Sequence, residues 1–259
     1  MNAALWAEFL KARRSRLPWV TVLAFTIAAA FGGLIMFILQ DLGRARALGL
    51  LGTKAAIAGG SADWPAYFTL LAQTVAVGGF LIFGLVVVWL FGREFGQGTA
   101  KDLLALPTAR ATIVAAKFAV TALWCLLLTL QTFVLGLAIG SAIGLTGWSP
   151  AVAGAGLAKL LLVATMTVVL TTPLALAASA GRGYLAAVGV MFAVMFLSQV
   201  IALLGYGAFF PWSVPALFTG LAGPEHAGPG PIGYGLVGLT GVAGAFGTGL
   251  WWRYAEQAG

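Results

Sequence analysis

Six long stretches of the chain are almost uninterruptedly apolar, at 17–39, 68–91, 112–137, 157–178, 184–204 and 231–252. Each is long enough for one helix to cross a hydrocarbon core of about 30 Å. The short segments between them collect most of the charge and proline. This alternation predicts an all-α integral membrane protein: six transmembrane helices in a single transmembrane domain over residues 1–259.

Two further segments break the simple pattern. Residues 1–16 carry "NAALWAEFLKARRSR", which as a helix sets Leu5, Trp6, Phe9 and Leu10 on one side and Glu8, Lys11 and Arg14 largely opposite. That is the pattern of a helix lying in the inner interface, with Trp6 and Phe9 in lipid. Residues 205–230, "GYGAFFPWSVPALFTGLAGPEHAGPG", are too apolar for an ordinary exterior loop, and Pro211 and Pro215 forbid one straight helix. A re-entrant hairpin on the outer side fits them, with Phe210, Pro211, Trp212 and Pro215 as its gate. Gly136, Gly140 and Gly144, and Gly235, Gly238, Gly241, Gly244 and Gly247, read as surfaces for close helix packing, the second series facing more than one neighbour.

Charge orients this frame. The net charge is +7, with 14 Lys and Arg against 7 Asp and Glu. With both termini and the loops 92–111 and 179–183 on the cytosolic side, that side holds Lys11, Arg13, Arg14, Arg16, Arg93, Lys101, Arg110, Lys117, Arg182 and Arg253. The outer side holds Arg44, Arg46 and Lys54, while Lys159 snorkels from a membrane edge. The asymmetry predicts a multi-pass membrane protein with both termini cytoplasmic. It also explains the basic residues without nucleic acid as a partner; membrane lipids are the expected surroundings. Trp19, Trp89, Trp251, Trp252 and Tyr254 would mark the inner boundary, and Trp64, Tyr67 and Trp148 the outer one.

Several chemistries are disfavoured. Glu8, Asp41, Asp63, Glu94, Asp102, Glu225 and Glu256 all fall outside the apolar stretches, which argues against transport coupled to an ion gradient. His226 has no second histidine to complete a metal site, Cys125 is the single cysteine, and "GLLGTK" at 49–54 lacks the spacing of a phosphate-binding loop. No metal and no cofactor is expected on this chain, and no enzymatic activity of its own. Polar side chains inside the spans are neutral. Gln73, Thr74, Gln131, Thr132, Ser198 and Gln199 either bond helix to helix or line an amphipathic path.

The remaining feature is a polar island between the second and third spans, "FGREFGQGTAKDLLALPTAR" at 91–110. Thr99 with Asp102 has the form of a capping box, "AKDLLAL" supplies an apolar stripe with Leu103, Leu104 and Leu106 exposed, and Pro107 ends it. Such a helix rests on the membrane surface or docks on a soluble partner.

Taken with the leading "AEFLKARRSR", the "AAK" after the island and "FFPWSVPAL" before the last span, the chain resembles the ABC type-2 family of exporter permeases. The resemblance implies an interfacial connecting helix, a coupling helix in loop 92–111 and a re-entrant outer hairpin. It also implies a homodimer or heterodimer of permeases above two ATP-binding cassette subunits, which bind ATP and Mg. Arg93, Glu94, Phe95, Gly98, Thr99, Lys101, Asp102 and Leu103 match the family's coupling segment, with Glu94 as an anion facing the cassette. The cargo of such a permease is an amphipathic drug, peptide antibiotic or lipid, moved outward. An ion-gradient carrier and an intramembrane lipid-modifying enzyme are the alternatives.

Overall fold

In a computed structural model of the chain, the described residues, 2–49, 61–104, 108–221, 223 and 228–254, are almost entirely helical. Lys54, Leu106, Pro107, Glu225, His226 and Glu256 lie outside them. Among the described residues, five helices are long and apolar enough to cross a membrane: α2 (Leu17–Gln40), α4 (Trp64–Gly96), α6 (Arg110–Ala142), α7 with α8 (Pro150–Leu170 and Thr172–Ala180), and α9 (Tyr184–Leu203). The sixth expected crossing is a helix of 24 residues, α11 (Pro231–Tyr254), but it is not among the five, because seven glycines dilute its apolar content. Shorter helices are α1 (Asn2–Arg13), α3 (Leu42–Ala47), α5 (Ala100–Leu104) and α10 (Val214–Phe218).

The long helices outrun the apolar stretches that announce them, since their polar ends stay hydrogen-bonded and capped. Asp63 accepts from Ala66 N at 2.9 Å with Pro65 in the first turn of α4, and Ser149 accepts from Val152 N at 3.1 Å with Pro150 in the first turn of α7. These two starts are tied together: Trp64 N donates to Thr146 O at 3.1 Å and the rings of Trp64 and Trp148 meet at 4.9 Å.

Helix α4 is the axis of the bundle and packs on α2, α6, α7, α8 and α9. Around its first half lie Tyr67, Phe68, Leu71, Phe83, Cys125, Leu128 and Leu160; around its second half lie Val87, Leu90, Phe91, Val120, Leu174, Met191 and Trp252. Small residues let these helices close. A side chain on Gly136 would strike Leu71, and one on Gly140 would strike the Trp64 ring. By contrast Gly144 has φ +69° in the turn that ends α6, so it serves chain reversal rather than packing.

Three of the expected boundary aromatics do not face outward. Trp64, Tyr67 and Trp252 are buried in the bundle, because their large rings fill the space between helices. The outward faces of α2, α9 and α11 are instead made of Leu23, Ile27, Phe31, Phe192, Phe196, Leu239, Val242 and Phe246.

The chain after α9 folds back onto the bundle as two turns of 3-10 helix, Gly207–Phe209 and Pro211–Ser213, followed by α10. Its tip reaches the middle of α4: Trp212 and Ala216 line a small cavity with Ala76, Val77 and Phe80. Helix α7 breaks at Thr171 in the same region. Pro173 has no N–H for Val169 O, and Leu174 N turns to Thr171 O at 3.0 Å, leaving Leu170 O without its helical donor. The hydroxyl of Thr172 lies 2.9 Å from Val169 O and 2.8 Å from Gly241 O, and the Trp212 indole donates to Leu170 O at 3.0 Å. The break is thus satisfied by the fold-back and by α11.

Candidate coupling site

Four charged side chains converge where α1, α4 and α6 meet. Lys117, seven residues into α6, is fully buried, and its ammonium donates to Glu8 Oε2 at 2.8 Å, Leu90 O at 2.8 Å and Glu94 Oε1 at 3.2 Å. Lys11 donates to Glu8 Oε1 at 3.0 Å and Glu94 Oε1 at 2.9 Å. Two carboxylates and two ammoniums therefore neutralise one another across three helices. All three N–H bonds of Lys117 have an acceptor, which is the condition for keeping such a charge out of water. Burial pulls the pKa of Lys11 down, but its bonds to Glu94 and Glu8 outweigh that and hold it above the ordinary lysine value.

Glu94 thus does not face outward as an exposed anion. It is buried at the end of α4, and its second oxygen accepts from the Thr99 hydroxyl at 2.7 Å. That bond also changes the reading of Thr99. Its hydroxyl turns back to Glu94 instead of closing a capping box with Asp102, and it is brought there by a turn in which Gly98 has φ +69°. The cluster accordingly fixes the first turn of the loop after α4, and α5 starts directly beyond it.

The other residues of the loop have varied surroundings. Phe95 is half-buried, its ring 5.4 Å from Trp251 and 5.7 Å from Trp252. Arg93 lies 4.9 Å over the Trp89 ring and donates to Gln97 Oε1 at 2.9 Å. Lys101 and Asp102 are exposed on α5, whereas Leu103 is half-buried against the inner core and is not the free apolar contact the sequence suggests. Arg110, at the start of α6, donates to Trp252 O and Arg253 O, both at 3.2 Å, at the end of α11.

Helix α1 packs on α6 with its polar side inward. Glu8 is 3% exposed while Trp6 is 65% exposed, with Phe9 and Leu5 also outward. The protein thus takes the acid of α1, and Leu5, Trp6 and Phe9 are left to the surroundings.

Among the neutral polar residues, Gln131 donates to Val22 O at 3.0 Å and Thr26 Oγ1 at 2.9 Å, joining α6 to α2, and Gln73 donates to Thr219 O at 3.4 Å. Thr74 and Thr132 bond carbonyls of their own helices. Ser198 shares a 3.1 Å bond with Ser213 in the fold-back, and the exposed Gln199 lines a cavity of about 330 Å³ beside them. Of the four gate residues, Trp212 bonds the α7 break, Pro215 is buried, and the Phe210 ring lies tilted against Trp212 at 5.3 Å. Pro211 begins the second 3-10 turn. Lys159 donates to Thr69 Oγ1 at 3.0 Å, so its ammonium has a protein partner.

No group of three or more His, Cys, Asp or Glu side chains suited to a metal ion occurs among the described residues. Glu8, Lys11 and Lys117 are the members of the cluster that sequence reasoning did not connect. The signal was present: Lys117 lies inside the apolar stretch 112–137, and a lysine there needs an anion.

Comparison with known proteins bears on residues 4–198, which match the family described as "ABC-2 family transporter protein". A bacitracin transport permease protein, BCRB, of Bacillus licheniformis is 26% identical over 146 residues, covering 56% of this chain and 70% of its own length. No solved structure matches the chain.

Proposed function

The chain belongs to the ABC-2 transporter family, and on that premise we propose that it is the membrane permease of an exporter driven by a separate ATP-binding cassette subunit. Two permeases and two cassettes make up the working unit, with both termini and the loop 92–111 on the cytosolic side of a prokaryotic plasma membrane. The cassette binds ATP and Mg and supplies the energy. This chain supplies the path.

The observation that carries the reading is the buried cluster of Glu8, Lys11, Glu94 and Lys117. A loop that only tethers two spans needs no such anchor, whereas a loop that is pushed by a partner does. In this reading the exposed side of α5, with Lys101 and Asp102, meets the cassette, and Arg93 and Phe95 flank the contact. Glu94 and Thr99 act behind it as positioning residues. When the cassettes close on ATP, displacement of α5 passes through the cluster to α1, α4 and α6 together, and access to the path turns outward. Trp212 and its neighbours form the outer gate at the α7 break, and the cavity beside Ser198 and Gln199 belongs to the path.

The cargo is an amphipathic molecule. The similarity to a bacitracin transport permease makes a peptide antibiotic the first choice. The test is reconstitution of the chain with its cassette subunit in vesicles. Bacitracin-like peptides should stimulate ATP hydrolysis and be moved to the side opposite the cassettes, and Glu94→Gln should lower the number of peptides moved per ATP. Export that runs without any ATPase and collapses with the proton gradient would replace this reading by an ion-driven carrier.

A further inference from the structure

Beside the ion-pair cluster, and sharing Lys11 with it, α1 and the end of α4 border a groove of about 530 Å³. Its walls combine two chemistries. Trp6, Leu10 and Trp89 give an apolar and aromatic wall, and Lys11, Arg14 and Arg93 give a basic one; no acidic side chain lines it. The charge of Lys11 is already answered by Glu8 and Glu94. That of the two arginines is not. Arg14 is exposed and its side chain makes no ion pair or hydrogen bond among the described residues. Arg93 is held in place by the Trp89 face and by Gln97 through its Nε, which leaves the outer nitrogens of the guanidinium for another acceptor.

The apolar side of α1, with Leu5, Trp6 and Phe9, is turned away from the protein at this same end of the bundle. A ligand that is anionic at one end and apolar at the other fits both walls at once. We propose that the groove binds one anionic phospholipid, its phosphodiester between Arg14 and Arg93 and its glycerol and upper acyl chain along Trp6, Leu10 and Trp89. Because Arg93 directly precedes Glu94, the occupied groove would brace the turn that carries the coupling loop. Assigning this lipid to the inner leaflet rests on the orientation proposed above; the binding itself does not, and is tested apart from transport.

The full chain, purified in detergent, is offered phosphatidylglycerol and phosphatidylcholine of identical acyl chains, and retained lipid is counted by native mass spectrometry. The wild type should retain phosphatidylglycerol in preference, and Arg14→Gln and Arg93→Gln should each lower that preference about fivefold. Arg13→Gln, whose side chain lies outside the groove, should leave it unchanged. Arg14 is exposed, so its variant keeps the fold even if removal of Arg93 disturbs α4. Equal retention of both lipids, or an equal loss with Arg13→Gln, would overturn the proposal. So would displacement of the lipid by inorganic phosphate, which would mark a small-anion site and not a lipid one.

Discussion

At the scale of single residues, Lys117 decides more than any other side chain. Its ammonium is fully buried, and the cluster around it balances two acids against two bases: Glu8 and Glu94 against Lys11 and Lys117. Replacing it by methionine keeps the length of the side chain but leaves two carboxylates to one ammonium. Breaking a buried pair in this way costs about 3–5 kcal/mol, far more than the pair itself contributes. Lys117→Met should therefore lower the melting temperature of the detergent-solubilised protein sharply. Adding Glu8→Gln to it should recover much of the loss, since Lys11 and Glu94 then balance again. Additive losses in the double variant would show that the four groups do not act as one unit. The acids and lysines of this cluster are all visible in the sequence, but their pairing is not. Glu8 and Lys117 are 109 residues apart and meet only once α1 is laid against α6.

At the scale of elements, the break between α7 and α8 shows how glycines are used. The glycine series of α11 has one period, yet its members meet different surroundings. A side chain on Gly244 would stand 2.5 Å from the backbone nitrogen of Pro173, and one on Gly241 would collide with Val169, while Gly235 and Gly238 have open space. The series therefore serves one neighbour, the broken helix, and not several. Glycine in a helix otherwise costs roughly 0.5–1 kcal/mol relative to alanine. Gly238→Ala should accordingly raise the melting temperature slightly, and Gly244→Ala should lower it because backbone cannot give way as a side-chain tip can. The same sign for both would mean that α11 does not pack on the break. Helices were legible from the apolar stretches because their length and composition suffice. The break was not, since Pro173 lies inside an otherwise continuous stretch and its consequences depend on Trp212, which arrives from 39 residues further along.

For the whole molecule, the number of crossings turns on α11, because among the described residues five helices meet the length and composition of a span while α11 does not. Packing supplies what hydropathy leaves out. The last turn of α11 is tied to the first turn of α6 by Arg110, and Trp252 packs beside Phe91 and Phe95 at the end of α4. Helix α1 is tied to the same ends of α4 and α6 through Glu8, Lys11, Glu94 and Lys117. Helix α1 and the last turn of α11 thus lie at one end of the bundle, the arrangement that the proposed six crossings require. With α11 as the sixth crossing, its glycine-rich side is covered by α7 and α8, so lipid meets mainly Leu239, Val242 and Phe246, and its low overall apolar content carries no penalty. A fluorescent protein that matures only in the cytoplasm should light up when fused after Tyr254, and a periplasmic phosphatase fused there should stay inactive. The same phosphatase inserted between Thr146 and Trp148, at the opposite end, should be active. Phosphatase activity at both the C-terminal fusion and the insertion between Thr146 and Trp148 would place those two points on one face and reduce the crossings to five.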